Sequence, residues 1–442
     1  MIELAAIGGY SEVGRNMTAI NVDGEVLLLD GGLNMEKYIP FTEERENIER
    51  LQPKALIEAE ALPDPALLGD WAGRVKAIVP SHAHLDHAGG IVFLERFFNA
   101  PIICTPFTAQ VLRTISAEER IRLRNKIKPL NLGSRLRISD KLTLEFANAT
   151  HSTPQTALVA IHTPQGRLVY ANDYKVDMHP GIGRRFDYER MRQLGREGLL
   201  AVIMDSIYAR EARKTPSEAV AREMLHDVLL DPQLEKKLIV VTTFASHIAR
   251  LKSIVALGQQ LGRNIIMLGR SLAKYAEAAA SLGLVDFSGI EIIRYSAQAA
   301  RRLKRLGAAR KRTMLIVTGH QGEPRSILTK MATGSLKFSF ESGEAVIFSC
   351  GVIPTATNRA NRAALESKLA ASSVRIFKDV HVSGHASRED MRDMLEMLRP
   401  KFVVPAHGDK ALTSGLAELA AEIGWQRAAV PLLANGERLR LA

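Results

Sequence analysis

The sequence predicts an α/β protein built of two domains, one of them inserted into the other. The chain has 442 residues, more than a single hydrophobic core usually organises. Between about residues 208 and 367, short continuous apolar runs alternate with helical segments, which is typical of a parallel sheet covered on both faces. The densest histidine motifs lie before and after this stretch, so we expect it to interrupt the domain that carries them.

The first part of the chain begins with predicted strands. Asp23-Gly24 lies between two apolar runs within residues 1–33, and this dipeptide is a strong signal for a β-hairpin. The second strand of the hairpin ends at Asp30. A further apolar run at 75–79 predicts a strand that leads directly into a cluster of histidines.

Two later predicted strands also end at a carboxylate. The apolar run at 168–171 is followed by Asp173, and the run at 199–204 is followed by Asp205. A carboxylate therefore closes each of these predicted strands.

Capping boxes at 116–119 and 215–218 predict two helix starts, the second with Pro216 in its first turn. In the inserted segment, strands are predicted at 238–241, 264–268, 314–317 and 345–348. An amphipathic helix is expected near 387–398 and a final strand at 402–406.

The charge balance favours an anionic partner. Lys and Arg number 59 against 48 Asp and Glu, a net charge of +11. The densest basic run is 301-RRLKRLGAARKR-312, which is either a nucleic-acid contact or a solvated helix face.

Membrane and disulfide classes are disfavoured. No apolar run approaches the ~18 residues of a membrane span, and Glu3 stands where a signal peptide would be basic. Cys104 and Cys350 both lie in apolar runs, which predicts buried free thiols. We therefore expect a cytoplasmic protein that does not associate with membranes.

The motif 82-HAHLDH-87 is the strongest candidate for a metal site. Imidazole nitrogens and carboxylate oxygens hold zinc-like ions that keep an open position for water. His82 and His84 can share one ion with a third imidazole, for which His151 is the natural candidate.

Asp86 and His87 cannot easily point at that same ion and therefore predict a second one. His407 in 405-PAHGD-409 is its natural completion, and Asp173 is the natural bridge between the two ions. Two ions about 3.5–4 Å apart would clamp the attacking and leaving oxygens of a displacement.

These motifs resemble known families. The cluster at 82–87, with Asp30, His151 and Asp173, resembles the metallo-β-lactamase fold. Asp205, His385 and His407, on either side of the insertion, resemble the extra motifs of the β-CASP nucleic-acid hydrolases. Within that group, four segments are similar to the short archaeal-type form of the ribonuclease J family: 8-GGYSEVGRNMTAI-20, 172-NDYKVD-177, 318-TGHQGEPRSIL-328 and 381-HVSGHAS-387.

The resemblance implies a metallo-β-lactamase αββα sandwich with an inserted β-CASP α/β domain. We expect the first part of the sandwich at 1–207, the inserted domain at 208–367 and the second part of the sandwich at 368–442.

The resemblance also implies a function. It implies a metal-dependent ribonuclease that hydrolyses RNA phosphodiester bonds mainly from 5′ to 3′, leaves 5′-phosphates, and acts in RNA processing and decay. The implied cofactors are two Zn²⁺ ions, although the mixed N/O ligand set also accepts Mn²⁺. The implied partners are single-stranded RNA and a second copy in a homodimer.

Three alternatives stay open: a β-CASP endoribonuclease, a small-molecule metallohydrolase of the same fold, and a non-catalytic RNA-binding scaffold. The inserted domain, His385 and the positive charge count against a small substrate. The complete ligand set counts against a scaffold.

The expected catalytic residues are Asp86, Asp205 and His385. His385 is the candidate for stabilising the transition state and protonating the leaving group, with Asp205 orienting or charging its imidazole. The alternative is that His385 is a further metal ligand. Asp30 is expected to hold a ligand imidazole rather than to bind metal itself.

Substrate contacts are expected in two places. His381, Ser383 and Gly384, with Gln321 opposite, would cradle a phosphate through short side chains and backbone N–H groups, although tight turns alone explain such glycines. The second place is the start of a helix in the inserted domain, with Ser246, His247 and Arg250.

Overall fold

The structure is a computed structural model that describes residues 1–43, 51–353 and 355–442. Its strands are β1 (Ile2–Gly8), β2 (Met17–Val22), β3 (Glu25–Leu29), β4 (Val75–Val79), β5 (Ile102–Cys104), β6 (Ile127–Pro129), β7 (Arg135–Arg137), β8 (Thr143–Asn148), β9 (Ala157–Thr163), β10 (Gly166–Ala171), β11 (Ala201–Asp205), β12 (Ile239–Thr242), β13 (Asn264–Leu268), β14 (Glu291–Ile293), β15 (Thr313–Val317), β16 (Ala345–Phe348), β17 (Arg375–Phe377), β18 (Phe402–Ala406) and β19 (Arg438–Arg440). Its α-helices are α1 (Met35–Glu43), α2 (Pro53–Glu58), α3 (Ile91–Leu94), α4 (Pro106–Glu118), α5 (Tyr188–Arg196), α6 (Glu218–Leu229), α7 (Ile248–Gln260), α8 (Arg270–Ser281), α9 (Ser296–Lys304), α10 (Ile327–Ala332), α11 (Ala356–Ala371), α12 (Arg388–Leu398) and α13 (Lys410–Ile423).

The chain divides into two compact units. Unit 1 comprises Met1–Met178, Arg184–Thr215 and Gly384–Ala442, and unit 2 comprises His179–Gly183 and Pro216–Ser383. The limits of these units differ from the domain limits predicted at 207/208 and 367/368. The predicted domain limits stay predictions.

Unit 1 is a sandwich of two sheets. One sheet has seven strands in the order β19-β1-β2-β3-β4-β5-β6, and the other has six in the order β18-β11-β10-β9-β8-β7. Buried side chains from both sheets form one core, with Ile20 and Val79 from the first sheet and Tyr170 and Ile203 from the second. The other face of the second sheet is covered by α5, α12 and α13, and α4 lies beside β6 of the first. The predicted αββα arrangement is confirmed.

The predicted hairpin is present. β2 and β3 pair antiparallel, with Val22 opposite Glu25. Asp23 and Gly24 between them both have positive φ angles, 47° and 85°. This is the left-handed backbone that a two-residue hairpin turn requires, and Asp and Gly adopt it at low cost.

A buried ion-pair network lies on the second sheet of unit 1. The Glu145 carboxylate accepts hydrogen bonds from Arg190 and Arg135 and lies 2.8 Å from His162 Nε2. Burial alone would raise the pKa of Glu145, but the bonds from His162 and Arg190 and the nearby positive charges outweigh it and lower the pKa to about 2.

Unit 2 contains a six-stranded sheet in the order β14-β13-β15-β12-β16-β17. All its neighbouring pairs are parallel. Each strand predicted from the apolar runs is present: β13 and β16 have the predicted bounds, β12 is shifted by one residue at each end, and β15 begins one residue earlier. Continuous burial along these strands explains why the runs lack alternation.

The two helix starts predicted from capping boxes are wrong in position. α4 begins at Pro106 and ends at Glu118, so the box at 116–119 marks its last turn, where the Ser116 hydroxyl donates to the Ile121 carbonyl. α6 begins at Glu218 and is capped by Ser217, because the backbone of Thr215 is held elsewhere, by the Asp390 carboxylate.

Within the described ranges, no helix combines the length and the apolar character that crossing a membrane requires. Cys104 and Cys350 are buried free thiols, as predicted.

Candidate metal centre

The carboxyl ends of three neighbouring strands bring acidic and imidazole groups together in unit 1. β10, β11 and β18 lie side by side and parallel in the second sheet. Asp173 follows β10, Asp205 is the last residue of β11, and His407 follows β18. Because parallel strands end at the same edge, residues more than two hundred positions apart become neighbours.

The first sheet supplies the remaining ligands. Asp30 follows β3, and the histidine motif follows the parallel neighbour β4. Asp86 and His87 lie in a short π-helical turn, Leu85–Gly89, a conformation that is frequent at functional sites. The loop after β3 passes so close that a Cβ on Gly32 would lie 1.7 Å from the Asp86 carbonyl oxygen, so only glycine fits there.

His82, His84, His151 and Asp173 form the first candidate ligand set. His84 Nδ1 lies 3.0 Å from His82 Nε2 and 3.1 Å from His151 Nε2. Asp173 Oδ2 lies 3.6 Å from His82 Nε2 and 3.4 Å from His151 Nε2. A tetrahedral zinc ion bound at 2.0–2.1 Å would separate such atoms by roughly 3.3 Å.

Asp86, His87 and His407 form the second candidate ligand set. Asp86 Oδ2 lies 3.6 Å from His87 Nε2 and 3.5 Å from His407 Nε2. The other oxygen of the first set's carboxylate, Asp173 Oδ1, lies 3.3 Å from His87 Nε2. One carboxylate therefore faces both sets, and its role as a bridge between two ions stays a prediction.

Unpartnered buried atoms show that the first and second sets fit metal ions. Asp173 Oδ2 and His407 Nε2 are buried and have no hydrogen-bond partner. Such orphan atoms are costly unless something else binds them. Burial lowers the pKa of His82 and His84 well below the usual value and that of His151 to about 3, so these imidazoles are neutral and can ligate.

The electrostatics of His87 also suit a cation. Burial opposes a charge on this imidazole, but Asp173, Asp86 and Asp30 outweigh burial and raise the pKa of His87 well above its usual value. Three carboxylates thus require a positive charge at this position, which either a proton or a divalent cation supplies.

Asp30 holds His87 in place. Its Oδ2 accepts hydrogen bonds from His87 Nδ1 at 2.7 Å and from the Tyr170 hydroxyl at 2.7 Å. Ser81 donates both its backbone N–H, at 2.7 Å, and its hydroxyl, at 3.2 Å. With the proton on Nδ1, the lone pair of His87 Nε2 faces the ligand set, which is how a carboxylate orients a metal-binding histidine.

Gly384 supports His151. The Gly384 carbonyl accepts a 2.6 Å hydrogen bond from His151 Nδ1, which directs Nε2 toward the first set. A Cβ on Gly384 would lie 2.6 Å from the Ser152 hydroxyl oxygen and 3.2 Å from His151 Cε1. The phosphate contact of Gly384 stays a prediction. The hydrogen bond between the Gly384 carbonyl and His151 was not predicted from the sequence.

Asp205 and His385 form a hydrogen-bonded pair beside the bridging carboxylate. His385 Nδ1 lies 2.8 Å from Asp205 Oδ2 and 3.8 Å from Asp173 Oδ2. Burial opposes protonation, but the charges of Asp173 and Asp205 outweigh it and raise the pKa of His385 to about 9. Because its side chain is 21% exposed, a substrate can reach the imidazole.

Asp390 braces the loop that carries His385. The Asp390 carboxylate accepts from the backbone N–H groups of Thr215 and Ser387 at 2.8 and 3.2 Å. The Thr215 hydroxyl in turn donates to the His385 carbonyl at 2.8 Å. No local pattern indicates this brace, because Thr215 and Asp390 lie 175 positions apart along the chain.

Unit 2 contains the other predicted substrate residues, and Arg250 is buried among them. Arg250 has no exposed surface, and its guanidinium binds the Glu218 carboxylate and the backbone and hydroxyl oxygens of Ser349. His247 caps α7 and lies 3.4 Å from Glu218. The proposed RNA contact of Arg250 requires it to give up these partners, so this geometry favours a supporting role.

Gln321 is also used within unit 2. It is buried, its amide nitrogen donates to the Gly351 carbonyl at 2.9 Å, and its amide oxygen accepts from Ile353 N–H at 3.0 Å. Ser246 is buried as well, whereas His381 and Ser383 are partly exposed. Phosphate contacts by these residues stay predictions.

Asn16 is another residue that sequence reasoning missed. Its amide nitrogen lies 3.1 Å from both the Asp86 carbonyl oxygen and His87 Nε2, and its amide oxygen accepts from Asn172. Asn16 lies within the quoted segment 8–20, but nothing local to that segment indicates a contact with a ligand seventy positions away.

The fold and the site together define a metallohydrolase of the metallo-β-lactamase type. Three family models match the chain in agreement with this: a beta-lactamase superfamily domain at residues 50–188, the beta-CASP domain of ribonuclease J at 236–365, and a Zn-dependent metallo-hydrolase RNA specificity domain at 373–431.

Curated relatives identify the family within this class. Ribonuclease J of Methanocaldococcus jannaschii is 41% identical over 99% of this chain and 98% of its own length. Ribonuclease J of Pyrococcus abyssi is 42% identical over 96% of this chain and 94% of its own length. The enzyme of that name from Sinorhizobium meliloti is 32% identical over 86% of this chain but only 66% of its own length. The chain belongs to the ribonuclease J family.

A solved structure supports the fold alone. A protein of unknown function from Enterococcus faecalis V583 aligns with a TM-score of 0.63 at 14% identity, covering 99% of each chain.

Proposed function

We propose that this protein is a metal-dependent ribonuclease that hydrolyses RNA phosphodiester bonds, mainly from the 5′ end toward the 3′ end, and leaves 5′-phosphate products. The observation that carries the proposal is the pair of ligand sets that share the Asp173 carboxylate, with His385 beside them. The relatives named ribonuclease J support RNA as the substrate.

The proposed cofactors are two Zn²⁺ ions. His82, His84 and His151 would hold one, Asp86, His87 and His407 the other, and Asp173 both. Bound at these positions, two dications supply Lewis acidity and neutralise charge on the phosphodiester. Three neutral imidazoles around one position favour zinc, while the carboxylates also suit Mn²⁺.

His385 is proposed to act on the substrate directly. Its Nδ1 lies 2.8 Å from Asp205 Oδ2, and its Nε2 is proposed to donate to a phosphoryl oxygen and to the departing ribose 3′-oxygen. Asp205 keeps the imidazole oriented and favours its charged form, because the carboxylate is buried against it. Because water attacks phosphorus and the bond to the 3′-oxygen breaks, the phosphate stays on the 5′-oxygen of the downstream nucleotide and the upstream one keeps a 3′-hydroxyl.

Degradation is proposed to begin at a 5′-monophosphate and to be hindered by a 5′-triphosphate. Ser383 and Gly384 are partly exposed and immediately precede His385 in the chain. Short side chains and backbone N–H groups there suit one phosphate group, and a triphosphate is proposed to be too bulky to bind in the same place.

Resemblance to the family further supports a homodimer that acts in the cytoplasm. Light scattering in solution tests the number of subunits.

The test uses one RNA prepared with a 5′-monophosphate or a 5′-triphosphate and labelled separately at each end. We expect the 5′ label to appear first as mononucleotide, faster from the monophosphate form. Chelation of divalent metal must stop the reaction, and His385→Ala serves as the slow control. Internal fragments that appear equally from both forms would contradict the exonuclease and support an endonuclease, while no hydrolysis of either RNA would contradict the ribonuclease.

A further inference from the structure

One strongly charged surface of unit 2 is not explained by the metal centre. Five exposed cations lie in and directly after the last turn of α9: Arg301, Lys304, Arg305, Lys311 and Arg312. They are called the basic edge here. None of the five forms an ion pair with any residue that the structure describes, and the segment 301–312 contains no acidic residue.

The basic edge has a defined position in the fold. α9 connects β14 to β15, two strands of an all-parallel sheet, so its last turn and the 3₁₀ turn Gly307–Arg312 lie where β15 begins. The amino ends of the strands therefore carry these charges. The carboxyl ends carry the loops with Gln321 and Ser349, at the opposite edge of the same sheet.

The remaining basic residues of this region hold the segment in place. Arg302 pairs with Glu291, and Arg310 pairs with Glu344 while stacking 4.6 Å over the Phe338 ring. Arg263 donates to the carbonyls of Lys237 and Lys311, which ties the loops before β12 and β15 together. The backbone beneath the five cations is thus braced, and less ordering is needed when they bind a partner.

Folding alone does not account for this charge. Cations in the last turn of a helix are favoured by its dipole, which explains Arg301 and Lys304. Lys311 and Arg312 end the 3₁₀ turn Gly307–Arg312, which has only six residues and therefore a smaller dipole than α9. Burial and the nearby charge of Arg312 both lower the pKa of the Arg263 guanidinium. Five cations without ion-pair partners repel one another, and an anionic partner would reduce this electrostatic repulsion.

The composition of the surface favours a nucleic acid over a protein partner. Protein interfaces depend on buried aromatic and apolar anchors. Three leucines at the C-terminal ends of α6, α7 and α8 are exposed near the amino ends of the strands, Leu230, Leu261 and Leu282, but among the residues that the structure describes no exposed aromatic side chain lies there. Charges without aromatic anchors match the sequence-independent phosphate contacts of RNA binding.

We propose that the basic edge binds the phosphate backbone of RNA as a second contact surface, separate from the carboxyl-end loops of the same sheet. This inference rests on the proposed ribonuclease function. It predicts that long RNA binds more tightly than a short oligonucleotide confined to the metal centre, and that this difference depends on salt.

The test replaces all five residues by alanine in one variant. The matched control replaces Lys54, Lys76, Arg184, Lys401 and Lys410, five exposed cations of unit 1, by alanine. Affinities for 40-nucleotide and 6-nucleotide uridylate are measured against salt concentration in the His385→Ala background, with hydrolysis of the 6-mer measured separately without that substitution.

We expect the edge variant to lose about tenfold or more in affinity for the 40-mer, with a salt slope smaller by roughly 3, since each single-strand phosphate contact contributes ~0.7. The 6-mer should bind and be hydrolysed as before, and the control should change less for the 40-mer. Should the quintuple variant fold poorly, Lys311→Gln with Arg312→Gln should still lower the slope by roughly 1.

Unchanged affinity and slope for the 40-mer would overturn the inference and leave a solvated face. Poly-L-glutamate that binds the wild type but not the edge variant, with RNA affinity unchanged, would overturn it in favour of an acidic protein partner. Failure of the wild type to hydrolyse the 6-mer would instead count against the proposed function, so the two failures are distinguishable.

Discussion

Asp30→Asn should weaken metal binding although Asp30 touches no metal ligand atom. The carboxylate is completely buried and accepts four hydrogen bonds, from His87, Tyr170 and two groups of Ser81. An asparagine side chain of the same shape offers one accepting oxygen and one donating NH₂ group.

Both orientations of the new amide are unfavourable. If the NH₂ group faces His87, Nδ1 must accept and the proton moves to Nε2, the atom that faces Asp86 and Asp173. If the oxygen faces His87, the NH₂ group meets the Ser81 N–H that now lies 2.7 Å from Asp30 Oδ1. A buried donor left without an acceptor costs about 1–3 kcal/mol in stability. Loss of the carboxylate that orients a metal-binding histidine lowers metal affinity by about 10–100-fold.

The assay is a competition titration of metal-free protein with a coloured zinc chelator, combined with thermal unfolding. We expect two sites of unequal affinity in Asp30→Asn, one near the wild-type value and one weaker by about 10–100-fold. Tyr170→Phe is the matched control, because it removes one donor and leaves His87 its acceptor. Wild-type affinity at both sites in Asp30→Asn would refute this reasoning.

Three further predictions address other parts of the molecule. His385→Ala should retain both metal ions and RNA binding but lower turnover by about 10²–10⁴, the usual loss for a positioned acid; unchanged turnover would remove His385 from the mechanism. Gly384→Ala should weaken one metal site, because the added methyl group meets Ser152 and displaces the acceptor of His151; a wild-type zinc titration would contradict this. Glu145→Gln should lower the free energy of unfolding by about 1–2 kcal/mol at pH 7, less than the full linkage value because Arg135 is 55% exposed. Since the folded pKa of Glu145 lies below its unfolded value, this difference should shrink as pH falls from about 4.5 toward 2, and a pH-independent difference in denaturant unfolding would exclude the mechanism.

Local pattern was sufficient for the strands that form continuous apolar runs and for the candidate ligands of the 82–87 motif. The strand at 75–79 and the motif after it were predicted because a buried strand and a dense histidine cluster are both visible within a short window. His151, Asp173 and His407 each stand alone in sequence, and resemblance together with strand-end positions identified them. The structure brings all of them within ligand distance of the motif.

Tertiary partners could not be predicted from the same patterns. The capping box at 215–218 failed as a helix start because Thr215 is held by Asp390, a residue 175 positions away. Arg250 and Gln321 have side chains that suit phosphate recognition, but the structure uses them for Glu218, Ser349, Gly351 and Ile353. Residue type indicates what a side chain is able to bind, and only the fold decides which partner it meets.

The supports of the metal centre come from both sheets of unit 1, and this explains the spread of its motifs along the chain. His87 is fixed by Asp30 at the end of β3, and His151 by a carbonyl that precedes α12. Asp173 and His407, which bond to each other at 2.8 Å, follow β10 and β18, the two parallel neighbours of β11. Each half of the sandwich alone would leave buried ligands without orientation. Metal affinity should therefore respond to substitutions such as Asp30→Asn that touch neither ion, and fold stability and metal binding in unit 1 should change together.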